Sequence, residues 1–372
     1  MSLIKVKILE NIVGQPQVVS ILEKAIQASR KSEDDNQEMT HSWLFTGPSG
    51  SGKTLAAKLF AAALVCPNNG CGDCIDCKTA MSGTHLDIDI VEPEGTSIRI
   101  DEIRDLISRT STTSVIGNWR IVLLLGAERL TEAAGNALLK RIEEPSSRTI
   151  WILCSPSIMD ILPTIRSRCR NLNFRFPDRD EAVKFLISRY QSNLELAQYC
   201  FQISRGDLGK AILYSQDQDS RAKRTQIVDI VVKIKNVSSA FFAAAAIIEL
   251  ANRLAEKNLE EKENDKYILY KNKELERIKN KNKNAEIKAF EDILTEISYW
   301  QIDLIFSKLN PTSMTFKLAP ELKSLENSKN WEISQLIFNI WRIEQLRNDL
   351  RNNGSPLIHF ENFALGFIGR GE

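Results

Sequence analysis

The chain has 372 residues, of which 43% are hydrophobic and 26% are charged, the proportions of an ordinary soluble globular protein. Its formal net charge of +1 excludes a global positive field for nucleic-acid binding, so any DNA contact has to be local or shared with partners. No uninterrupted apolar run approaches the roughly 20 residues of a membrane span, and residues 1–15 lack the features of a signal peptide. We therefore expect a cytoplasmic protein with reduced thiols and about two or three domains.

The first half of the chain alternates between helical and strand-like patterns. Apolar residues recur at helical spacing over 14–30, and the polar segment 31–40 is typical of a surface loop or a frayed helix end. Strand-like runs and helical patterns then alternate, with strands predicted at 43–45, 88–91, 121–125 and 150–154 and helices at 55–64, 101–108 and 132–143. This alternation predicts an α/β domain with a parallel sheet and helices on both of its faces.

The second half is helical throughout. Pro177 ends the alternating unit, and we predict an α/β domain over 1–177, a small helical domain over 178–220 and an all-α domain over 221–372. The stretch 256–288 is rich in Lys, Glu and Asn. Its mixed charges are typical of a solvated, salt-bridged helical hairpin, and the alternative is a basic arm that touches DNA.

A phosphate-binding loop follows the first predicted strand. Its residues match G-x-x-x-x-G-K-[ST] in full and are Gly47, Pro48, Ser49, Gly50, Ser51, Gly52, Lys53 and Thr54. Glycines let backbone N–H groups curl around phosphate oxygens, and the helix that follows adds its positive dipole end. Lys53 can reach the terminal phosphates, and the Thr54 hydroxyl can bind Mg²⁺. The loop predicts a site for ATP or ADP with Mg²⁺, and the alternative is a chance glycine turn.

Nucleotide binding does not imply hydrolysis. P-loop ATPases hold Mg²⁺ with an acidic residue at the end of a neighbouring strand and usually orient water with a second carboxylate. The candidate strand ends instead in Leu125 and Gly126, and Glu128 follows three residues after Leu125. An active ATPase would have to recruit Glu128 or Glu92. The sequence therefore predicts binding without turnover.

Four cysteines fall within twelve residues and are spaced C-x4-C-x2-C-x2-C, at Cys66, Cys71, Cys74 and Cys77. In a reducing compartment such a cluster favours a metal site over disulfides. Closed four-sulfur coordination suits structural Zn²⁺, and an iron–sulfur cluster or reduced surface thiols are the alternatives. The other cysteines are expected to be buried small hydrophobic residues, namely Cys154, Cys169 and Cys200.

Several motifs in order resemble the AAA+ clamp-loader family of bacterial DNA polymerase III. Residues 136–145, NALLKRIEEP, are similar to the family's N-A-L-L-K-x-L-E-E-P helix, and 167–169 match its S-R-C motif. Further similar segments lie at 14–15, 41–48, 83–87 and 98–104, and the resemblance runs from about residue 10 to 211. It implies an AAA+ domain over 1–177 with a zinc module after the P-loop helix, a helical lid over 178–220 and a helical collar for oligomerisation over 221–372.

The resemblance also implies residue roles. The arginine of the family's S-R-C motif reaches a neighbouring subunit's ATP, so Arg168 would be an arginine finger in trans; the alternative is that it anchors a helix end through local carbonyls. Aligned on Asn136, the motor subunits carry Asp and Glu where this chain has Leu125 and Gly126. Gly209 stands where the motors carry a sensing Arg. This combination resembles the delta-prime class of clamp-loader subunits.

The resemblance implies partners as well, namely other loader subunits in a hetero-pentamer, the sliding clamp and, indirectly, primer–template DNA. We expect an assembly subunit that is not catalytic alone and that helps to load the clamp during DNA replication. The alternatives are an active AAA+ motor of the clamp loader, a related remodelling ATPase, and a nucleotide-gated scaffold outside replication.

Overall fold

The structure of the protein is a computed structural model, which describes residues 5–30, 39–92, 97–110, 114–146, 148–263, 274–309, 331–351 and 355–368, with the side chains of 257–284 outside the described set. The chain divides into two compact units, Met1–Ile212 and Leu213–Glu372. The division of the chain at 177 and 220 into three domains stays a prediction.

A parallel sheet forms the centre of the N-terminal unit. Its strands are β1 (Ser42–Thr46), β2 (Ile88–Val91), β3 (Arg120–Leu125), β4 (Thr149–Ser155) and β5 (Arg170–Asn173). All the pairings are parallel, and the order across the sheet is β2-β3-β4-β1-β5. The first four strands confirm the sequence prediction. The edge strand β5 was missed because only Leu172 of its four residues is buried.

The sheet has a hydrophobic core on each face, because successive strand residues point to opposite sides. Phe45 and Leu123 belong to the core on the face of α1 and α2, whereas Leu44 and Leu124 belong to the core on the face of α4 and α5. The helices of this unit are α1 (Pro16–Ala28), α2 (Lys53–Val65), α3 (Ile75–Ser82), α4 (Ile100–Thr110), α5 (Glu132–Glu143), α6 (Pro163–Arg166), α7 (Arg179–Tyr190) and α8 (Leu194–Ile203). The predicted α/β class with helices on both faces is confirmed.

The rest of the described chain is helical. Its elements are α9 (Leu208–Gln216), α10 (Gln218–Val232), α11 (Val237–Glu263), α12 (Glu274–Leu309), α13 (Ile333–Arg351) and α14 (Pro356–Leu365). Helices α10 to α14 share one apolar core, which contains the buried Trp300 and Phe360, so the predicted all-α C-terminal region is confirmed. The choice between a hairpin and a DNA-touching arm at 256–288 depends on side chains that lie mostly outside the described set.

One segment of α11, Val237–Glu256, is long and apolar enough to cross a membrane by length and composition alone. It contains the charged residues Glu249, Arg253 and Glu256. Its Ala244 and Ile247 lie in the core of the C-terminal unit. A core helix of a soluble protein has the same properties, so the segment is weak evidence for a membrane span.

A buried charge cluster holds the C-terminal helices together. Arg224 on α10 is 4% exposed, and its guanidinium donates to Glu296 and, at 3.2 Å, to Asp303, both on α12. The Tyr214 hydroxyl donates to the other carboxylate oxygen of Glu296 at 2.9 Å. Buried ions are tolerated when each finds its partners, and removal of one partner leaves an uncompensated charge.

We therefore expect Arg224→Ala to lower the free energy of unfolding of the C-terminal unit by about 3–5 kcal/mol. The control is Arg253→Ala, because Arg253 pairs with Glu249 at the surface of α11 and should cost less than about 1 kcal/mol. Urea titrations followed by amide hydrogen exchange in α10 and α12 measure the difference. Equal costs for the two variants would contradict a stabilising role of the buried cluster.

Candidate functional site

The phosphate loop joins β1 to α2. Gly47, Gly50 and Gly52 have φ angles of 153°, 80° and 85°, in the region that favours glycine because side chains with a Cβ rarely adopt it. Gly52 is the N-cap of α2, whose first residue is Lys53. A glycine loop that runs into a helix N-terminus can direct several backbone N–H groups at one anion. The structure thus places the loop in the strand–loop–helix context that the motif requires.

Lys53 lies across its own loop. Its Nζ donates to the Pro48 carbonyl oxygen at 3.2 Å. Burial lowers the pKa of Lys53, and three acidic groups nearby oppose that shift, namely Cys154, Glu128 and Asp207. The hydroxyl of Ser51 is buried without a hydrogen-bond partner among the described residues, whereas Thr54 is exposed in the first turn of α2. The phosphate oxygens of a bound nucleotide would accept hydrogen bonds from these side chains.

Asp207 lies directly against the loop. A Cβ placed on Gly50 would lie 2.1 Å from the Asp207 carboxyl carbon, and the Leu208 N–H donates to the Gly50 carbonyl at 3.3 Å. Asp207 Oδ1 also accepts from the Lys210 N–H at 2.9 Å, so the carboxylate caps the start of α9. Sequence reasoning considered Gly209 here and missed Asp207, whose acidic side chain two residues earlier was the available signal.

The end of β3 carries no carboxylate. Leu125 is partly buried against the core, and Gly126 adopts a left-handed conformation with φ 72°. Gly126 begins a single 3-10 turn, Ala127–Arg129, which reverses the chain after the strand. This confirms the position of Leu125 and Gly126 at the strand end and places Glu128 inside the turn.

Glu128 lies near the phosphate loop. Its charge acts on both Lys53 and Cys154, and its side chain is 22% exposed. Oε2 is buried without a hydrogen-bond partner among the described residues, and Oε1 lies 3.8 Å from Arg129 Nε, beyond hydrogen-bond reach. The sequence placed Glu128 beyond the end of the strand, and the structure adds that it lies close enough to Lys53 for its charge to oppose the lowering of that lysine's pKa.

Arg168 follows α6 and lies near the surface. Its Nη1 donates to the Thr164 carbonyl at 3.0 Å and to Ser167 Oγ at 3.3 Å, and its Nε donates to Glu143 at the end of α5. The side chain remains 39% exposed. The structure thus shows the local contacts of the anchoring interpretation, while the role of Arg168 in a neighbouring subunit stays a prediction. Glu143, the first glutamate of the E-E-P segment, was not singled out as its partner.

The four clustered cysteines converge after α2. Cys66 is the C-cap of α2 and Cys74 is the N-cap of α3. The four sulfur atoms lie within 4.8 Å of one another, and Cys66 Sγ lies 3.7 Å from Cys71 Sγ and 3.6 Å from Cys74 Sγ. Zinc with Zn–S bonds of about 2.3 Å separates tetrahedral sulfur ligands by about 3.8 Å. The cluster therefore fits a metal of this size, and Cys66 belongs to it.

The backbone around the cluster favours thiolates, the form that binds metals. Each sulfur accepts a backbone N–H at 3.3–3.4 Å, with pairs Asn68–Cys66, Cys74–Cys71, Cys77–Cys74 and Gly72–Cys77. Bonds from the Asp73 and Cys74 N–H groups lower the pKa of Cys71 to about 6, whereas burial raises the pKa of Cys77. A metal cation would compensate the burial of that thiolate.

The N-terminal residues of the described chain pack on this module. The Ile8 N–H donates to the Gly70 carbonyl at 3.0 Å, and Lys7 Nζ lies 2.6 Å from Asp73 Oδ2. Val6 and Leu9 are buried in the adjoining core. The order of the cysteine loop is therefore coupled to that of this segment.

The remaining cysteines are ordinary interior residues. Cys154 and Cys200 are buried, as the sequence predicted, and Cys169 is partly buried. Burial raises the pKa of Cys154 and of Cys169 to about 12. Both thiols are therefore protonated and poorly reactive near neutral pH.

Comparison with known proteins identifies the class. A family model described as DNA polymerase III, delta subunit, matches residues 14–178. DNA polymerase III subunit delta' of Pseudomonas aeruginosa is 32% identical over 57% of this chain and 66% of that protein. Subunit delta' of Bacillus subtilis is 30% identical over 58% of this chain and 64% of that protein. Subunit gamma/tau of Mycobacterium bovis is 35% identical over 44% of this chain and 28% of that protein.

The chain therefore resembles clamp-loader subunits of DNA polymerase III, which confirms the resemblance seen in its motifs. Relatives named delta' and a relative named gamma/tau both match this chain, and the family model matches its N-terminal region. The matched segment spans slightly less than two thirds of the length of the two delta' relatives.

The metal content of the purified protein and of a cysteine variant tests the cysteine module. We expect about one zinc ion per chain, and we expect Cys74→Ser to abolish its binding and to speed amide exchange over both the cysteine loop and residues 6–9, because the two segments share hydrogen bonds. Mass spectrometry of the metal and hydrogen-exchange measurements check both effects. Cys169→Ser is the control and should retain the metal. Iron in the purified protein, or no bound metal at all, would contradict zinc.

Proposed function

We propose that this chain is a delta-prime-like clamp-loader subunit that binds nucleotide without hydrolysing it and offers Arg168 to an ATPase neighbour. The observation that carries the proposal is an intact phosphate loop beside a β3 strand that ends in Leu125 and Gly126. The similarity to two delta' subunits at 30% and 32% identity supports this subunit type.

The chemistry of the loop supports binding more than turnover. Hydrolysis requires one carboxylate to hold Mg²⁺ and usually a second one to orient the attacking water. Leu125 and Gly126 provide neither, and Glu128 can serve in only one of these roles at a time. Asp207 adds negative charge against Gly50 without lying at the end of β3.

Arg168 has the chemistry of an arginine finger. Its guanidinium is always charged and can bind two phosphate oxygens at once. In the isolated chain it binds Glu143 and the Thr164 carbonyl, both of which are weaker attractions than a nucleoside triphosphate with several negative charges. Its partial exposure leaves it accessible to a neighbour, whose ATP would draw it away from Glu143.

The partners follow from the subunit type. The chain would assemble with motor ATPase subunits and delta in a hetero-pentamer through its C-terminal helices, act on the sliding clamp in DNA replication and approach primer–template DNA only indirectly. The near-zero net charge is consistent with DNA contact that is shared among subunits. We place this function in the cytoplasm, where cysteine thiols stay reduced and a four-cysteine module can bind a metal.

One observation favours a second candidate function. Because Glu128 lies close enough to Lys53 for its charge to act on that lysine, it could replace the missing strand-end carboxylate and make the chain an active AAA+ motor. The two functions differ in turnover, which can be measured on this chain alone.

We expect the purified chain to hydrolyse ATP no faster than Lys53→Ala, with or without primed DNA, because a water-orienting carboxylate is lacking. The same samples should differ in the binding of a fluorescent ADP analogue, which Lys53→Ala weakens. Steady-state phosphate release and fluorescence titration check the two expectations. Turnover that depends on Lys53 would establish the motor and overturn the non-hydrolysing assignment.

In a reconstituted clamp loader, we expect Arg168→Ala to slow hydrolysis at the neighbouring ATP site by about a thousandfold, because the cation that stabilises the transferred phosphoryl group is lost. The total DNA-stimulated ATPase rate then falls by that site's share. Arg166→Ala is the matched control, since Arg166 lies in the same turn and contacts Met159 at 3.6 Å. Equal rates for Arg168→Ala and the unmodified complex would remove the trans role.

A further inference from the structure

The non-hydrolysing function proposed above gives no role to Glu128, whose carboxylate is partly buried. A carboxylate oxygen that is removed from water without a hydrogen bond is costly, and Oε2 of Glu128 has none among the described residues. Such a group is retained where a cation or ligand completes it.

Neither nearby basic residue satisfies Glu128 fully. Arg129 Nε lies 3.8 Å from Oε1, and the Arg129 side chain is about half exposed. The charge of Glu128 acts on Lys53, but Lys53 Nζ donates its hydrogen bond to the Pro48 carbonyl oxygen. One carboxylate oxygen therefore remains available at the edge of the phosphate loop.

The turn after β3 explains how Glu128 reaches this place. Strands β3 and β1 flank β4 in a parallel sheet, so their carboxyl ends lie on the same edge, which is where α/β sheets bind ligands. Gly126, at φ 72°, turns the chain sharply into the 3-10 turn Ala127–Arg129. The turn brings a residue that lies beyond the strand back to the strand end.

From this arrangement we propose that Glu128 is the carboxylate that holds the Mg²⁺ of a bound nucleotide, in place of the acidic residue missing at Leu125 and Gly126. The proposal rests on the nucleotide binding proposed above and gives Glu128 a binding role. Thr54 at the start of α2 would supply the hydroxyl ligand.

The chemistry of Mg²⁺ fits a single protein carboxylate. This ion keeps several of its waters and is commonly bound through one or two carboxylates together with substrate phosphates. A glutamate reaches further than an aspartate, which suits a residue in the turn rather than on the strand. With Glu128 committed to the metal, no second carboxylate at the strand end is left to orient water, which agrees with binding without turnover.

Asp207 is the other carboxylate close to Lys53, and the structure gives it a different role. Its Oδ1 accepts the Lys210 N–H that caps α9, and it lies against Gly50. It should repel phosphates whether or not Mg²⁺ is present. The two carboxylates can therefore be distinguished by the magnesium dependence of their effects.

The test is a fluorescence titration of the full chain with N-methylanthraniloyl-ADP, in MgCl₂ and in EDTA. We expect Mg²⁺ to strengthen binding to the unmodified chain, and Glu128→Gln to weaken binding about tenfold in Mg²⁺ while leaving it equal or tighter in EDTA. Asp207→Asn should tighten binding in both conditions. Glu132→Gln is the matched control, because Glu132 is exposed in the first turn of α5 and should behave as the unmodified chain.

Each outcome decides between the two proposals. If Glu128→Gln binds as the unmodified chain does in both conditions, or if Mg²⁺ has no effect on the unmodified chain, the role of Glu128 is wrong while nucleotide binding stands. If no binding depends on Lys53, the proposed nucleotide site itself is wrong, and the role of Glu128 with it. Thermal unfolding of every variant verifies that the fold is retained, and Glu128→Asp provides a second variant that keeps the charge but shortens its reach.

Discussion

The parallel pairing of β1, β4 and β3 is the constraint on which the candidate site depends. Because the three strands run in the same direction, the phosphate loop after β1 and the turn after β3 emerge at one edge of the sheet. Two buried cores, one on each face of the sheet, hold the strands that form this edge in place. Lys53 and Glu128 therefore lie near each other in space although they are far apart in sequence.

The charges at this edge explain the chemistry that the site can support. Lys53 is desolvated and surrounded by acidic groups, so a phosphate that enters must compete with carboxylates for the same cation. A divalent cation relieves that competition, because it binds phosphate and carboxylate together. Leu125 and Gly126 leave the end of β3 without a carboxylate, so the proposed nucleotide site lacks the group that usually orients water.

Polar groups in the two units are used for different purposes. In the cysteine module, sulfur atoms held by backbone N–H groups form a closed set that a metal can complete, and the N-terminal segment packs on it. In the C-terminal unit, Arg224 and its acidic partners satisfy one another without a ligand. Arg168 belongs to neither case. It contacts Glu143 at the surface, and in the proposed function a stronger anion would replace Glu143 in that contact.

The sequence by itself determined the phosphate loop, the spacing of the four clustered cysteines, the strands β1 to β4 and the absence of acidic residues at 125 and 126, because each of these is written in local residue types and spacing. It also determined the family, through motifs in order. Only the tertiary structure decided that β5 completes the sheet, that Asp207 covers Gly50, that Glu143 holds Arg168, and that Glu128 lies near Lys53. These four features depend on which chain segments the sheet brings together, and contacts between residues far apart in sequence leave no local pattern to read.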